Sequence, residues 1–146
     1  MDLNILVING PNLNMLGKRE PDHYGKVTLD EINRRMAEKA LQTGISLDFF
    51  QSSHEGAIVE KIQSACGSYD GLIINPAAYT HTSVAIRDAL LLLDIPVIEI
   101  HLSNIYKRES FRRTSMVADV VTGQISGFGS NGYLLAMDAI LKLVRP

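Results

Sequence analysis

Short aliphatic runs alternate with longer segments of helical periodicity along the whole chain. The runs are mostly continuous rather than alternating, which is typical of parallel strands that are covered on both faces. They predict five strands, at residues 3–8, 46–50, 71–74, 96–100 and 118–125. The segments between them predict five helices, at residues 28–43, 56–65, 82–93, 108–116 and 132–143.

Two of the predicted helices begin with a capping pattern. Thr28 is followed three residues later by Glu31, and Gly44 closes the same segment, as expected for a capped helix. Ser52 and Glu55 repeat the spacing before the second helix.

Strands that alternate with helices predict an α/β fold with right-handed crossovers. At this length we expect a flavodoxin-like three-layer sandwich, with a five-stranded parallel sheet of order 2-1-3-4-5 in one domain over residues 1–146. Ligands of such sheets bind beyond the carboxyl ends of the strands, where the strand order reverses. Segments 9–26, 75–81 and 99–113 are therefore the expected site.

Composition narrows the class of protein. The chain of 146 residues has 14 basic and 16 acidic residues, a net charge of −2, which argues against a nucleic-acid partner. No apolar run approaches the roughly twenty residues that span a bilayer, and no signal peptide precedes the first strand. We therefore expect a cytoplasmic protein without a membrane partner.

The sequence lacks the motifs that bind the cofactors common in this fold. The segment at 127–132 reads G-x-G-x-x-G, but it follows the last strand, so we interpret it as a glycine turn before the last helix. Asn9 and Asn75 stand where a phosphoreceiver would need acidic residues, and no Walker sequence is present.

Glu99 and His101 lie two residues apart at the end of the fourth strand, so both side chains point to the same side. A carboxylate beside an imidazole fixes its tautomer and makes an acid–base pair. With His81 the two side chains would alternatively form a metal site, or they are simply a hydrogen-bonded structural pair.

Arg19 and Tyr24 lie in the long loop after the first strand. A phenol is a weak base at pH 7, but a guanidinium within about 4–6 Å favours the phenolate. Arg108 is a candidate for a second guanidinium. The alternative is a loop tyrosine packed by its ring beside a solvated arginine.

Arg108 and Arg112 are four residues apart, which would place them on one face of the predicted helix. Beside the backbone amides of Leu102 and Ser103, such an arginine would clamp a carboxylate. A solvated helix face is the alternative.

Three segments resemble the type II 3-dehydroquinate dehydratases. They read GPNLNMLGKREPDHYG at 10–25, INPAAYTHTS at 74–83 and EIHLSN at 99–104, and the resemblance extends to residues 87–90 and 127–135. It implies cofactor-free dehydration of 3-dehydroquinate to 3-dehydroshikimate in the shikimate pathway of aromatic amino acid biosynthesis.

The resemblance also implies a role for each site residue. Tyr24 would be the base, kept ionised by Arg19 with Arg108, and Asn12 would stabilise the enolate. His101, oriented by Glu99, would be the general acid. The substrate contacts would be Asn75, His81, Leu102, Ser103 and Arg112, with Asp88 reaching a neighbouring subunit in a trimer-based dodecamer. The alternatives are a metal-dependent hydrolase built on His81, Glu99 and His101, and a non-catalytic oligomeric scaffold.

Overall fold

A computed structural model describes residues 2–18 and 26–145, and a five-stranded parallel sheet forms its centre. The strands are β1 (Leu3–Asn9), β2 (Ile45–Gln51), β3 (Gly71–Asn75), β4 (Val97–His101) and β5 (Gly123–Ser126). Their order is β2-β1-β3-β4-β5, and every neighbouring pair is parallel. The predicted fold class and strand order are confirmed.

In the described part of the chain, four α-helices cover the two faces of the sheet: α1 (Leu29–Thr43), α2 (Glu55–Ser64), α3 (Val84–Leu91) and α4 (Asn131–Val144). Because successive strand residues point to opposite faces, Ile5 and Val7 pack with α1 and α4, whereas Leu6 and Ile8 pack with α2 and α3. This produces the predicted three layers. Within the described residues, no helix has the length and apolar character needed to cross a membrane.

The first predicted cap forms and the second does not. The Oγ1 of Thr28 accepts a hydrogen bond from the Glu31 backbone N–H at 3.2 Å, and Gly44 ends α1 in the left-handed region at φ 71°. The Oγ of Ser52 instead accepts from His54 N at 3.0 Å, and His54 is the residue that precedes α2.

Residues 108–116 do not form the predicted α-helix. Only a short 3₁₀ turn at Ser110–Arg113 is present, and β5 begins at Gly123 rather than at residue 118. The backbone beyond this turn bonds elsewhere: Met116 N–H donates to Thr80 O, and the Ser115 Oγ accepts from Val117 N–H and Ala118 N–H. These bonds hold a turn where a helix and an early strand were expected.

The chain leaves β1 in close contact with the residue that follows β3. Gly10 N–H donates to Asn75 O at 2.8 Å, and a Cβ on Gly10 would lie 2.5 Å from the backbone oxygen of Pro76. No other side chain fits there without moving the backbone. Glycine at this position therefore allows β1 and β3 to end side by side.

We expect Gly10→Ala to lower the free energy of unfolding by about 2 kcal/mol, because the added methyl group meets backbone atoms that cannot rotate away. The matched control is Gly56→Ala in α2, where a Cβ meets nothing within 4 Å. That change should stabilise the helix by up to about 1 kcal/mol. Urea unfolding at one protein concentration measures both, and equal stability of the two variants would contradict the account.

Candidate active site

A cavity of about 150 Å³ lies beyond the carboxyl ends of β1, β3 and β4, where the strand order reverses. Three segments line it: Pro11, Asn12 and Leu13 after β1; Asn75, Ala77, Ala78 and His81 at and after β3; and His101, Leu102, Ser103, Ile105, Arg108 and Arg112 at and after β4. The cavity thus gathers most of the residues that were predicted to form the site.

Glu99 and His101 form a buried hydrogen-bonded pair. The Nε2 of His101 lies 2.5 Å from Oε2 of Glu99, and the two residues are 5% and 0% exposed. Since a carboxylate only accepts, Nε2 carries the hydrogen of this bond. The imidazole lines the cavity while the carboxylate lies behind it, so the predicted contact is confirmed.

The carboxyl group of Glu99 is held in its ionised form. Burial alone would raise the pKa of Glu99, but the hydrogen bond and charge of His101, the hydrogen bond from Ser115 and the neighbouring amide of Gln124 lower it below its usual value. The Ser115 Oγ donates to Oε2 at 2.8 Å, and Gln124 lies opposite Glu99 in the β4–β5 register. The pair therefore has a fixed negative charge behind an imidazole.

His81 presents a hydrogen-bond acceptor to the cavity. Its Nδ1 donates to Thr114 O at 2.8 Å, which leaves Nε2 as the acceptor of the neutral ring. Burial is the main cause that lowers the pKa of His81, with smaller effects from the positive charges of His101 and Arg112. The ring is therefore neutral at pH 7.

Arg108 and Arg112 both line the cavity, although no α-helix carries them. Their predicted placement on one helical face is therefore wrong. Instead, both lie beside Glu109: Nε of Arg108 is 3.6 Å from Oε1, and Nε of Arg112 is 3.1 Å from Oε2. The side chain of Arg108 is only 8% exposed. Two guanidinium groups thus make this wall of the cavity positive.

The backbone after β4 is held by the glycine turn at 127–129. His101 O accepts from Gly127 N–H at 3.3 Å, and Leu102 O accepts from Gly129 N–H at 2.9 Å. In a trans peptide the N–H points opposite to the C=O, so the amides of Leu102 and Ser103 point away from this turn. The interpretation of the glycine motif as a turn before the last helix is confirmed, since α4 begins at Asn131.

Not every predicted site residue is found in the lining of the cavity, and Glu99 lies behind it. Arg19 and Tyr24 lie outside the described residues. Asp88 is exposed on α3 and is absent from the lining. By contrast Asn12 is in place, in the left-handed region at φ 70°, at the start of a 3₁₀ turn (Leu13–Met15).

The alternative of a metal site at His81, Glu99 and His101 is not supported by the geometry of the described residues. The Nδ1 of His81 bonds to Thr114 O, and the Nε2 of His101 bonds to Glu99. No three His, Cys, Asp or Glu side chains of residues 2–18 and 26–145 come together as possible ligands of a metal ion.

Sequence reasoning missed two residues that hold the site from behind. Ser115 donates to Glu99, and the hydroxyl of Tyr133 contacts the amide of Asn75 at 3.1 Å. Ser115 falls in the segment that was wrongly predicted as a helix. A serine side chain can instead bond to the backbone N–H groups that follow it and hold a turn, and this was the sign available in the sequence. For Tyr133 the only sign was a phenol on the apolar face of a helix.

The family model described as Dehydroquinase class II matches residues 3–141. The chain belongs to the class II dehydroquinases. It is 53% identical to the 3-dehydroquinate dehydratase of Geotalea daltonii, over 98% of this chain and 99% of that protein. It is 55% identical to the 3-dehydroquinate dehydratase of Campylobacter hominis, over 97% of this chain and 91% of that protein.

Solved structures of class II dehydroquinases have the same fold. The type II dehydroquinase of Butyrivibrio crossotus superimposes with a TM-score of 0.93 at 47% identity, over 95% of this chain and 97% of that one. The resemblance that was read from three sequence segments is therefore confirmed at the level of family and fold.

We expect Ser115→Ala to raise the pKa of Glu99 and so to favour its uncharged form. Because the pKa of Glu99 is lowered, its carboxylate stays charged until the pH falls through that pKa. Loss of the Ser115 hydroxyl donor should raise the pKa of Glu99, which moves the acidic limb of the pH–rate profile to higher pH. A shift of up to about one unit, with kcat reduced about threefold to tenfold, is expected.

The control is Ser64→Ala, which removes a hydroxyl that donates to Lys61 O on the exposed end of α2. Its pH–rate profile should match that of the unmodified protein. An acidic limb that stays in place in Ser115→Ala would show that Ser115 does not act on the carboxylate.

Proposed function

We propose that this class II dehydroquinase dehydrates 3-dehydroquinate to 3-dehydroshikimate without a cofactor, as one catalytic domain over residues 1–146. The observation that carries the proposal is the buried Glu99–His101 pair opening on a cavity whose wall holds Arg108 and Arg112. The imidazole can protonate a leaving hydroxyl group, and the two arginines can bind a carboxylate, so the site suits a substrate that has both groups.

The proposed reaction has two steps. The phenolate of Tyr24 removes a proton from C2, and the electron pair of that C–H bond moves toward the C3 ketone to form an enolate. Asn12, through a water, stabilises the enolate oxygen, a role worth roughly 3–4 kcal/mol in other enzymes. The enolate then re-forms the ketone and a C1–C2 double bond as the C1–O bond breaks.

His101 supplies the proton that converts the leaving hydroxyl into water. Glu99 supports this role because its ionised carboxylate stabilises the protonated imidazole next to it. Solvent then returns a proton to His101 and takes one from Tyr24, so that the cycle balances with loss of one water. The acid and the base thus come from different segments of the chain.

Tyr24 needs nearby positive charge to serve as the base. Lowering the pKa of a phenol by about two units takes roughly 2.7 kcal/mol of differential stabilisation. We assign this role to Arg19, with Arg108 as the second guanidinium. The small exposure of Arg108 favours the assignment, because a charge is screened less when it is removed from water.

Polar groups of the cavity would hold the substrate in place. The amides of Leu102 and Ser103, which point away from the glycine turn, would bind the carboxylate. Asn75 and His81 would contact ring oxygens, and Arg112 would contact a hydroxyl. The neutral state of His81 supports a hydrogen bond from a substrate hydroxyl to Nε2.

The proposal extends to assembly and location. We propose a cytoplasmic homo-oligomer, a dodecamer built from trimers, without nucleic-acid or membrane partners, serving the shikimate pathway. Asp88 would contribute to the site of a neighbouring subunit. Its exposed position on α3, outside the lining of the cavity in its own subunit, supports this assignment.

Tyr24→Phe should lower kcat at least a thousandfold, on the order expected when a positioned base is lost, while 3-dehydroquinate still binds. The assay follows the ultraviolet absorbance of the conjugated enone product, with EDTA present. Tyr69→Phe is the control, since the hydroxyl of Tyr69 donates to Asp48 at an exposed position and Tyr69 does not line the cavity. Turnover by Tyr24→Phe within about tenfold of the parent would remove Tyr24 as the base.

Asp88 can be tested by subunit complementation. Asp88→Ala and Tyr24→Phe should each be nearly inactive alone, whereas their co-expressed hybrid should recover up to about a quarter of parent activity, because some sites then combine an intact Tyr24 with an intact Asp88 from the neighbour. If both residues served the same subunit, no hybrid site would be complete. Activity no higher than that of the two separate variants would therefore contradict site sharing.

A further inference from the structure

A chain of buried hydrogen bonds joins α4 to the ends of β1 and β3. The hydroxyl of Tyr133 lies 2.6 Å from Oδ1 of Asn9 and 3.1 Å from Nδ2 of Asn75. The Oδ1 of Asn75 lies 3.0 Å from the backbone nitrogen of Ala77. Tyr133 is fully buried, and the two asparagines are almost so. The proposed reaction steps use none of these contacts.

The direction of every bond in this chain follows from its backbone end. A backbone N–H can only donate, so the side of the Asn75 amide that faces Ala77 must be the oxygen. The Nδ2 of Asn75 therefore faces Tyr133 and donates to its hydroxyl oxygen. The single hydroxyl hydrogen of Tyr133 then goes to Asn9. Burial, which raises the pKa of Tyr133, keeps that hydrogen in place.

Among the described residues, the side-chain amide of Asn75 has one hydrogen-bond donor left for a ligand. The Nδ2 of Asn75 carries two hydrogens, and only one of them is used by Tyr133. Because Asn75 lines the cavity, the second N–H is the group that it can offer a ligand. His81, on the same cavity, offers an acceptor at Nε2. A donor and an acceptor together suit a ligand hydroxyl, which needs both.

The same amide stabilises a strained backbone position. Ala77 has a φ of 54°, in the left-handed region that residues with a Cβ rarely occupy. Its N–H is bonded to Oδ1 of Asn75, and Ala77 also lines the cavity. Rotation of the Asn75 side chain would therefore remove a ligand contact and loosen this turn at once.

We propose that Tyr133 is a positioning residue that fixes the Asn75 amide with an N–H toward the cavity, and so sets substrate affinity. This inference rests on the proposed function, because the ligand is taken to be 3-dehydroquinate. Tyr133 acts only through Asn75 and touches no reacting atom. Its effect should accordingly fall on KM rather than on kcat.

The test is Tyr133→Phe, which removes one oxygen and leaves the ring in the core. We expect KM for 3-dehydroquinate to rise about five- to twentyfold, with kcat within about threefold of the parent. Tyr69→Phe, which removes an exposed tyrosine hydroxyl bonded to Asp48, should leave both constants unchanged. An unchanged KM in Tyr133→Phe would overturn the proposal.

A double-mutant cycle separates positioning from a general structural effect. In an Asn75→Ala background, Tyr133→Phe should change KM by less than about twofold, because the group through which it acts is already absent. The same factor in both backgrounds would mean that Tyr133 acts on the site by another route, which refutes the proposal.

Two further measurements keep the outcome decisive. If Tyr133→Phe folds poorly because Asn9 Oδ1 loses its donor, the pair Tyr133→Phe with Asn9→Leu removes both partners, and the same rise in KM is expected. Calorimetric titration of 3-dehydroquinate into Tyr24→Phe, with and without Tyr133→Phe, measures Kd without turnover. Equal Kd values refute the positioning role, whereas an inactive parent protein refutes the proposed function.

Discussion

The burial of polar side chains at one end of the sheet is the constraint on which the site depends. Among the described residues, six buried residues of polar type lie along or after β1, β3 and β4: Asn9, Asn75, Thr80, Ser83, Glu99 and His101. Such groups cost free energy unless they bond within the protein. A shift of any of these strand ends would break several hydrogen bonds together. The strand ends, which form the floor of the cavity, are therefore held rigidly.

The two layers of helices and loops support this floor from opposite sides. Gly132 lets α4 approach the sheet, because a Cβ there would lie 2.9 Å from Cδ1 of Ile100, and the next residue, Tyr133, then reaches both asparagines. Ser115 reaches Glu99 from the turn before β5. Remote packing thus determines the orientation of the groups that face the ligand.

Local patterns predicted most of the fold. The continuous apolar runs of β1 and β3 and the cap at Thr28 depend on residues near one another in the chain, and each was predicted correctly. The segment from residue 108 to 122 was not, because the arginine spacing imitates a helix and its valines imitate a strand. Its real structure depends on Thr80, His81 and Ser115, through bonds that spacing does not reveal.

The same distinction between local and distant contacts divides the site residues. Glu99 and His101 were predictable as a pair because two residues on one strand share a side. Tyr133 was not, since 124 positions separate it from Asn9 and only the packed fold brings them together. His101, which spacing reveals, faces the cavity, whereas Ser115 and Tyr133, which hold Glu99 and Asn75 from behind, come from other segments. Mutational studies guided by residue spacing alone would therefore miss the contacts that fix the geometry of the residues it reveals.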